Sequence, residues 1–288
     1  MASPEYQATA PTAEKEINTA PGTTGADANG INPAVQRYDY GGNPLFHAHT
    51  NGEARLAAFG GEFQPGLYKA PTTRKFANPA PLGLSAFALT TFVLSLVNLN
   101  TRGIAEPNIA LSLAYGYGGL VQLLAGMWEM AVGNTFGATA LSSYGGFWIS
   151  YAIILTPGFA VLDNYASAED TASVLGFFLT GWFIFTFILL LLTLRSTVMF
   201  CSLFATLDLA FLFLATSEFA KSNGAAAAAS GLQKAGGVFG LLAAFLAWYN
   251  AFAGIADTSN SFFIIPVFHF PWSEKAREAR AKTERETV

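Results

Sequence analysis

Six stretches of this chain are continuously apolar over the length, about 20 residues, that a helix needs to cross hydrocarbon. They fall at 82–99, 108–132, 136–155, 171–194, 198–219 and 232–256. None alternates apolar and polar positions as a membrane β-strand would. The pattern therefore predicts an all-α membrane protein with six transmembrane helices. The third stretch stops at Thr156-Pro157, where proline ends a helix. A seventh apolar run, 262–270, is too short to span and carries Pro266, with Pro271 just beyond. It reads as an interfacial segment, with a re-entrant piece as the alternative. Residues 1–30 are rich in Ala, Thr, Pro and Gly and have no apolar core of the kind a signal peptide requires.

Charge sharpens this picture. Only 12% of the 288 residues are charged, against roughly a quarter in a soluble domain. Residues 82–270 hold just twelve of them, too few to cover a water-facing surface. A soluble enzyme and a disulfide-stapled secreted domain are excluded. The formal net charge of -4 leaves no basic footprint for nucleic acid. Cys201 is the sole cysteine, so neither an intrachain disulfide nor a cysteine-cluster metal site can form, and packing is its expected role.

The basic residues set an orientation. Lys69, Arg74 and Lys75 precede the first span, Arg195 lies between the fourth and fifth, and Lys275, Arg277, Arg280, Lys282 and Arg285 follow the last. The other side holds Arg102, Lys221 and Lys234 beside Asp163, Glu169 and Asp170. Both termini are expected in the cytoplasm. The expected organisation is a disordered N-terminal tail over 1–75, a six-helix transmembrane domain over 76–258, and an interfacial segment with a charged tail over 259–288. His47 and His49 form a pair in the N-terminal tail that reads as solvated rather than metal-binding.

Polar side chains inside membrane spans need a reason. Phe87, Thr91, Leu94 and Asn98 share one face of the first helix by their spacing. Tyr115, Gln122 and Glu129 recur every seven residues on the second, among glycines that admit a close neighbour. Tyr144, Trp148 and Tyr151 form a stripe on the third. Leu207 lies between Thr206 and Asp208 on the fifth, and Gly236, Gly240 and Asn250 mark the sixth. Gln122 is read as lining a polar pathway or a bridging network. Glu129 and Asp208 are either protonated structural groups or ion-coupling groups. Phosphate-loop, HExxH and GxSxG motifs are all lacking, so enzyme activity, a cofactor and a metal are not expected.

One local motif is specific. Residues 78–87 read NPAPLGLSAF, which resembles the signature of the acetate uptake transporter family, also called the succinate–acetate permease family, with fungal ammonia/acetate exporters among its members. YGGLVQLLAGMWE (117–129), GNTFGATALSSYGGFW (133–148) and GWFIFTFILLLLTLR (181–195) are similar to that family's second, third and fourth helices. The resemblance covers about 76–258, and the long N-terminal tail is like that of the fungal members. It implies a six-helix monocarboxylate channel or transporter, hexameric, with one pathway per protomer and a Phe–Tyr–Leu constriction. Phe87, Tyr144 and Leu207 match those three positions, and Gln122 matches a polar residue near the pathway. Asp208 departs from a small hydroxyl residue in the bacterial relatives.

Asn78 before two prolines looks like a helix start, with exposed N–H groups that suit a carboxylate. No Lys or Arg falls near the middle of the spans. Uncharged donors would then replace hydration weakly, which suits passage. Asn78, Thr91, Gln122 and Trp148 are the candidate substrate-binding residues, with the Tyr144 hydroxyl as a further donor. Glu129 and Asp208 are the candidate proton carriers. The expected partners are acetate and other short-chain carboxylates, the lipid bilayer (the plasma membrane) and further copies of this chain. An ammonium exporter and a membrane sensor signalling acetate or ammonium status are the competing readings.

Overall fold

A computed structural model describes residues 76–257, 259–273 and 276–277. The tail over 1–75, with its His47/His49 pair, and most of the charged C-terminal run lie outside the described residues. Among the described residues, six helices are long and apolar enough to cross a membrane. They are α1 (Ala80–Asn98), α2 (Asn108–Val132), α3 (Thr135–Leu155), α4 (Ala168–Thr193), α5 (Val198–Ser222) and α6 (Ala226–Ile255).

Capping chemistry explains where several of them begin. The Asn78 side chain accepts the Ala80 N–H at 3.0 Å, and Pro81 costs nothing in a first turn. The Asn134 side chain accepts the Gly137 N–H at 3.0 Å, and the Thr197 hydroxyl accepts the Phe200 N–H at 3.2 Å. At α4 the Ser167 hydroxyl takes the Asp170 N–H at 3.0 Å. Glu169 and Asp170 add negative charge to that first turn, which favours it electrostatically. This cap starts α4 three residues before the apolar run. Helix α6 begins six residues earlier than hydropathy suggests, because Ala226–Ala229 are strong helix formers. Inside α2 the backbone widens to a π-turn over Gly116–Val121.

The order of packing runs α4, α5, α6, α1, then α2 with α3. Lipid tails supply no hydrophobic drive between helices, so close backbone approach has to do the work. Between α2 and α3 this is literal. A Cβ at Gly126 would fall 2.4 Å from the Ser142 backbone nitrogen, and one at Gly145 would fall 2.6 Å from that of Leu123. Helices α3 and α4 are held apart by rings. Phe147 stacks on Phe178 at 5.8 Å and meets Trp182 edge-on at 5.1 Å. The outward faces of α2, α4 and α6 expose Leu124, Trp128, Phe187, Leu191, Leu242 and Phe245, as lipid or a neighbouring subunit requires.

The short apolar run at 262–270 forms no helix. It folds back across the α4–α5 turn. Phe268 O accepts the Val198 N–H at 2.7 Å, and Thr197 pairs antiparallel with His269. The Trp272 indole donates to Leu194 O at 2.7 Å, and the Tyr249 hydroxyl donates to Pro266 O. Backbone groups left open at the end of α4 and the start of α5 find partners here. Ile265 and Val267 are buried against Ala253 and Ala256, whereas Phe262, Phe263 and Phe268 stay exposed.

Candidate functional site

Helices α1, α3 and α5 are separated by single return spans, so they run in the same direction. Helices α3 and α5 begin with a side-chain cap, and α1 with the Asn78–Ala80 hydrogen bond just before its first turn, which fixes where their later turns fall. All three of these helices bring a residue of the expected constriction to one place. Phe87 of α1 and Tyr144 of α3 lie with ring centroids 6.0 Å apart. Leu207 of α5 lines the same internal cavity as both rings. All three side chains are buried. The cavity holds about 20 Å³ of free space, room for about one water molecule. It is a narrow neck at this point, almost wholly apolar.

Gln122 is its polar exception. The side chain lines the cavity from α2, one residue past the π-turn. It is fully buried, and neither its amide oxygen nor its amide nitrogen has a hydrogen-bond partner among the described residues. Buried polar atoms are rarely left so, because each costs about 1–3 kcal/mol. An amide kept in this state leaves both its donor and its acceptor unused beside the apolar neck.

Glu129 stands behind the cavity wall. It is fully buried, and its Oε2 accepts the Asn134 Nδ2 at 2.6 Å. Gly137 forms the intervening wall. A Cβ there would lie 2.9 Å from that carboxylate oxygen, so only glycine keeps cavity and carboxyl adjacent. Asp208, next to Leu207, is 6% exposed, and its Oδ1 has no hydrogen-bond partner among the described residues. It is not part of the cavity lining.

The remaining expected residues lie elsewhere. Thr91 is buried one turn beyond Phe87, turned toward α6, where its methyl lies 3.9 Å from the Cβ position of Gly240. Trp148 is buried one turn beyond Tyr144, packed on Phe147 at 5.0 Å, with its indole N–H unpartnered among the described residues. Asn78 lines a separate open groove with Ser85, Tyr117 and Gly254. The structure thus unites Phe87, Gln122, Tyr144 and Leu207, sets Glu129 behind them, and leaves Asn78, Thr91 and Trp148 outside the neck.

Two groups of residues at this site escape the sequence reading. Thr186 of α4 is fully buried, and its hydroxyl shares a 2.9 Å hydrogen bond with that of Tyr144. A lone hydroxyl in the run FIFTFILLLL was the available signal. The second group, Phe136, Phe200 and Phe204, also lines the cavity. Phenylalanines in apolar spans give no sequence signal that separates pathway from packing.

Comparison with known proteins places the chain. The model of the GPR1/FUN34/yaaH family matches residues 59–272. The chain belongs to this family. Acetate permease A of Emericella nidulans is 62% identical over 264 residues, covering 90% of this chain and 88% of that protein. Ammonia transport outward protein 2 of Saccharomyces cerevisiae is 51% identical over 219 residues, covering 76% of this chain and 75% of that one. Among solved structures, that of the bacterial acetate channel SatP superposes with a TM-score of 0.58 at 32% identity. It covers 67% of this chain and 99% of that chain. The GPR1/FUN34/yaaH match, with the six apolar helices, makes this a multi-pass membrane protein.

Proposed function

We propose that this protein moves acetate and similar small monocarboxylates across the plasma membrane through a pathway inside each protomer, closed by Phe87, Tyr144 and Leu207. The observation that carries the reading is the Gln122 amide, buried and unpartnered at an otherwise apolar neck. The names of its acetate-transporting relatives point to the same cargo. A carboxylate passing the neck loses water and gains the Gln122 N–H as a donor. No fixed cation lines the cavity, so the anion is not trapped there. The apolar residues around Gln122 limit size and exclude bulk water, as hydrophobic constrictions do.

An inside-negative potential opposes anion entry by about 2.3 kcal/mol per 100 mV for each charge. A proton carried with the acid cancels that cost, and Glu129 and Asp208 are the groups to carry it. Asn78, Thr91 and Trp148 then serve substrate before and beyond the neck rather than within it. The basic flanks favour cytoplasmic termini, and the exposed apolar faces of α2 and α6 fit packing between six copies around lipid.

Labelled acetate flux in proteoliposomes tests the reading. Flux in a pH gradient that exceeds flux without one identifies proton coupling, and equal fluxes identify a channel. Ammonium export is the second reading, favoured by the yeast relative's name. Ammonium efflux with no acetate flux would establish it and overturn the first.

A further inference from the structure

The neck cavity has a second apolar end. Phe136, the second residue of α3, meets Phe200, the third residue of α5, edge to face at 5.6 Å. Phe204 completes the triangle, 5.5 Å from Phe136 and 5.1 Å from Phe200. At the helical rise, Phe136 lies about 12 Å along α3 from Tyr144, and Phe200 about 10 Å along α5 from Leu207. Phe136 and Phe200 therefore bound the cavity at the end away from the expected constriction, with Gly137 and the Glu129 carboxyl behind it there, while Phe204 reaches between the two, its ring 6.4 Å from that of Tyr144.

We propose that Phe136, Phe200 and Phe204 form a second gate in series with the neck, so that a passing acid meets two closures in succession. The inference rests on the reading of the cavity as a carboxylate pathway. The rings stand where α3 and α5 begin, so an acid that has cleared Tyr144 and Leu207 must pass them to reach that face of the membrane. Edge-to-face pairs of this kind add about 0.5–1.5 kcal/mol each. That holds the gate shut at rest, yet rotation of one side chain can open it. Between the closures there is room for about one water, so no continuous file of water crosses the protein. Size selection is then exercised twice, and Phe136, Phe200 and Phe204 are specificity-determining residues alongside Leu207.

Barriers in series add as resistances, and this gives the test. Flux of labelled acetate and of labelled butyrate is measured in proteoliposomes for the wild type, Phe200→Ala, Leu207→Ala and the double variant. Opening one of two comparable gates raises butyrate flux by about twofold, whereas opening both raises it by roughly tenfold or more, above the product of the single effects. A double variant no faster than Leu207→Ala alone overturns the second gate. If the alanine variants do not elute as a single species from gel filtration, Phe200→Leu with Phe204→Leu opens the ring with less loss of volume, and the same comparison with Leu207→Ala decides. Wild-type acetate flux in the same vesicles separates the two failures. Its absence removes the carboxylate reading, whereas its presence without synergy removes only the second gate.

Discussion

The Tyr144 hydroxyl meets the Thr186 hydroxyl at 2.9 Å, with both side chains buried. Helices α3 and α4 otherwise lean on each other through large rings, so this bond ties Tyr144 to a helix that supplies no residue to the cavity lining. Thr186→Val keeps the shape and removes the partner, leaving a buried hydroxyl unsatisfied at a cost of about 1–3 kcal/mol. The expected result is a lower melting temperature in detergent and a wider size cutoff, as the ring loses its tether. Thr186→Ser restores both. A cutoff unchanged by Thr186→Val, read as the ratio of acetate to butyrate flux, would leave the bond as packing only.

Leu207 tests the size of the neck more directly. Leu207→Ala removes branched volume from a residue that is 6% exposed and faces both Phe87 and Tyr144 across the cavity. Cavity-forming changes of this type cost about 2–5 kcal/mol, so expression and monodispersity need checking first. Folded protein is expected to pass larger acids such as lactate or succinate about twofold faster, the share of one of two closures in series. An unchanged cutoff in labelled uptake counts against Leu207 as a constriction residue.

Glu129, Asn134 and Gly137 form a unit whose failure should be structural. Asn134→Ala removes the cap of α3, worth about 0.5–2 kcal/mol, and takes the 2.6 Å donor from Glu129. Gly137→Ala drives a methyl to within 2.9 Å of the same carboxylate. Both variants are expected to melt earlier than wild type. Asn134→Asp keeps the cap but sets two acids together, so it should be destabilised at neutral pH and recover as the medium is acidified. Thermal shift assays in detergent across pH read all three.

The spans were legible because lipid imposes a single composition rule over some twenty residues at a time. The meeting of Phe87, Tyr144 and Leu207 at one cavity was legible for another reason. Phe87, Tyr144 and Leu207 sit in stretches that resemble a known family, and hydropathy alone would not separate them from neighbouring core residues. Thr186, the phenyl triangle and the fold-back of 262–270 were not legible, because each is defined by a partner distant in sequence. Thr186 acquires meaning only from Tyr144, and Phe268 only from the open N–H of Val198. Thr91 shows the converse. Its spacing from Phe87 puts it on a helical face with the neck, but one turn along the bundle that face meets α6, not the cavity.

Gln122→Leu distinguishes a functional amide from a structural one. A structural amide stabilises the fold through its bonds, so its loss lowers stability. Here no bond exists among the described residues, and replacing an unsatisfied polar group by an apolar one of similar size is neutral or stabilising. The expected result is an unchanged or higher melting temperature with acetate flux reduced roughly 10- to 100-fold, the worth of one hydrogen bond to a charged group. Loss of flux together with loss of stability would mean that the amide serves the fold.

Asp208→Asn addresses proton coupling. The variant keeps size and hydrogen-bonding capacity but cannot carry a proton in exchange with the medium. If Asp208 takes part in coupling, wild-type flux rises when the outside is acidified, and the variant transports at a rate that no longer follows the gradient. Glu129→Gln is the matched control. It keeps an acceptor for Asn134 behind the cavity wall, so a loss of gradient dependence in this variant alone would assign the proton to Glu129. Equal gradient dependence in both variants and the wild type would exclude both carboxyls as carriers. Reconstituted protein, with membrane insertion confirmed by flotation, is the material for this measurement, because a surface-expression defect would otherwise imitate the loss.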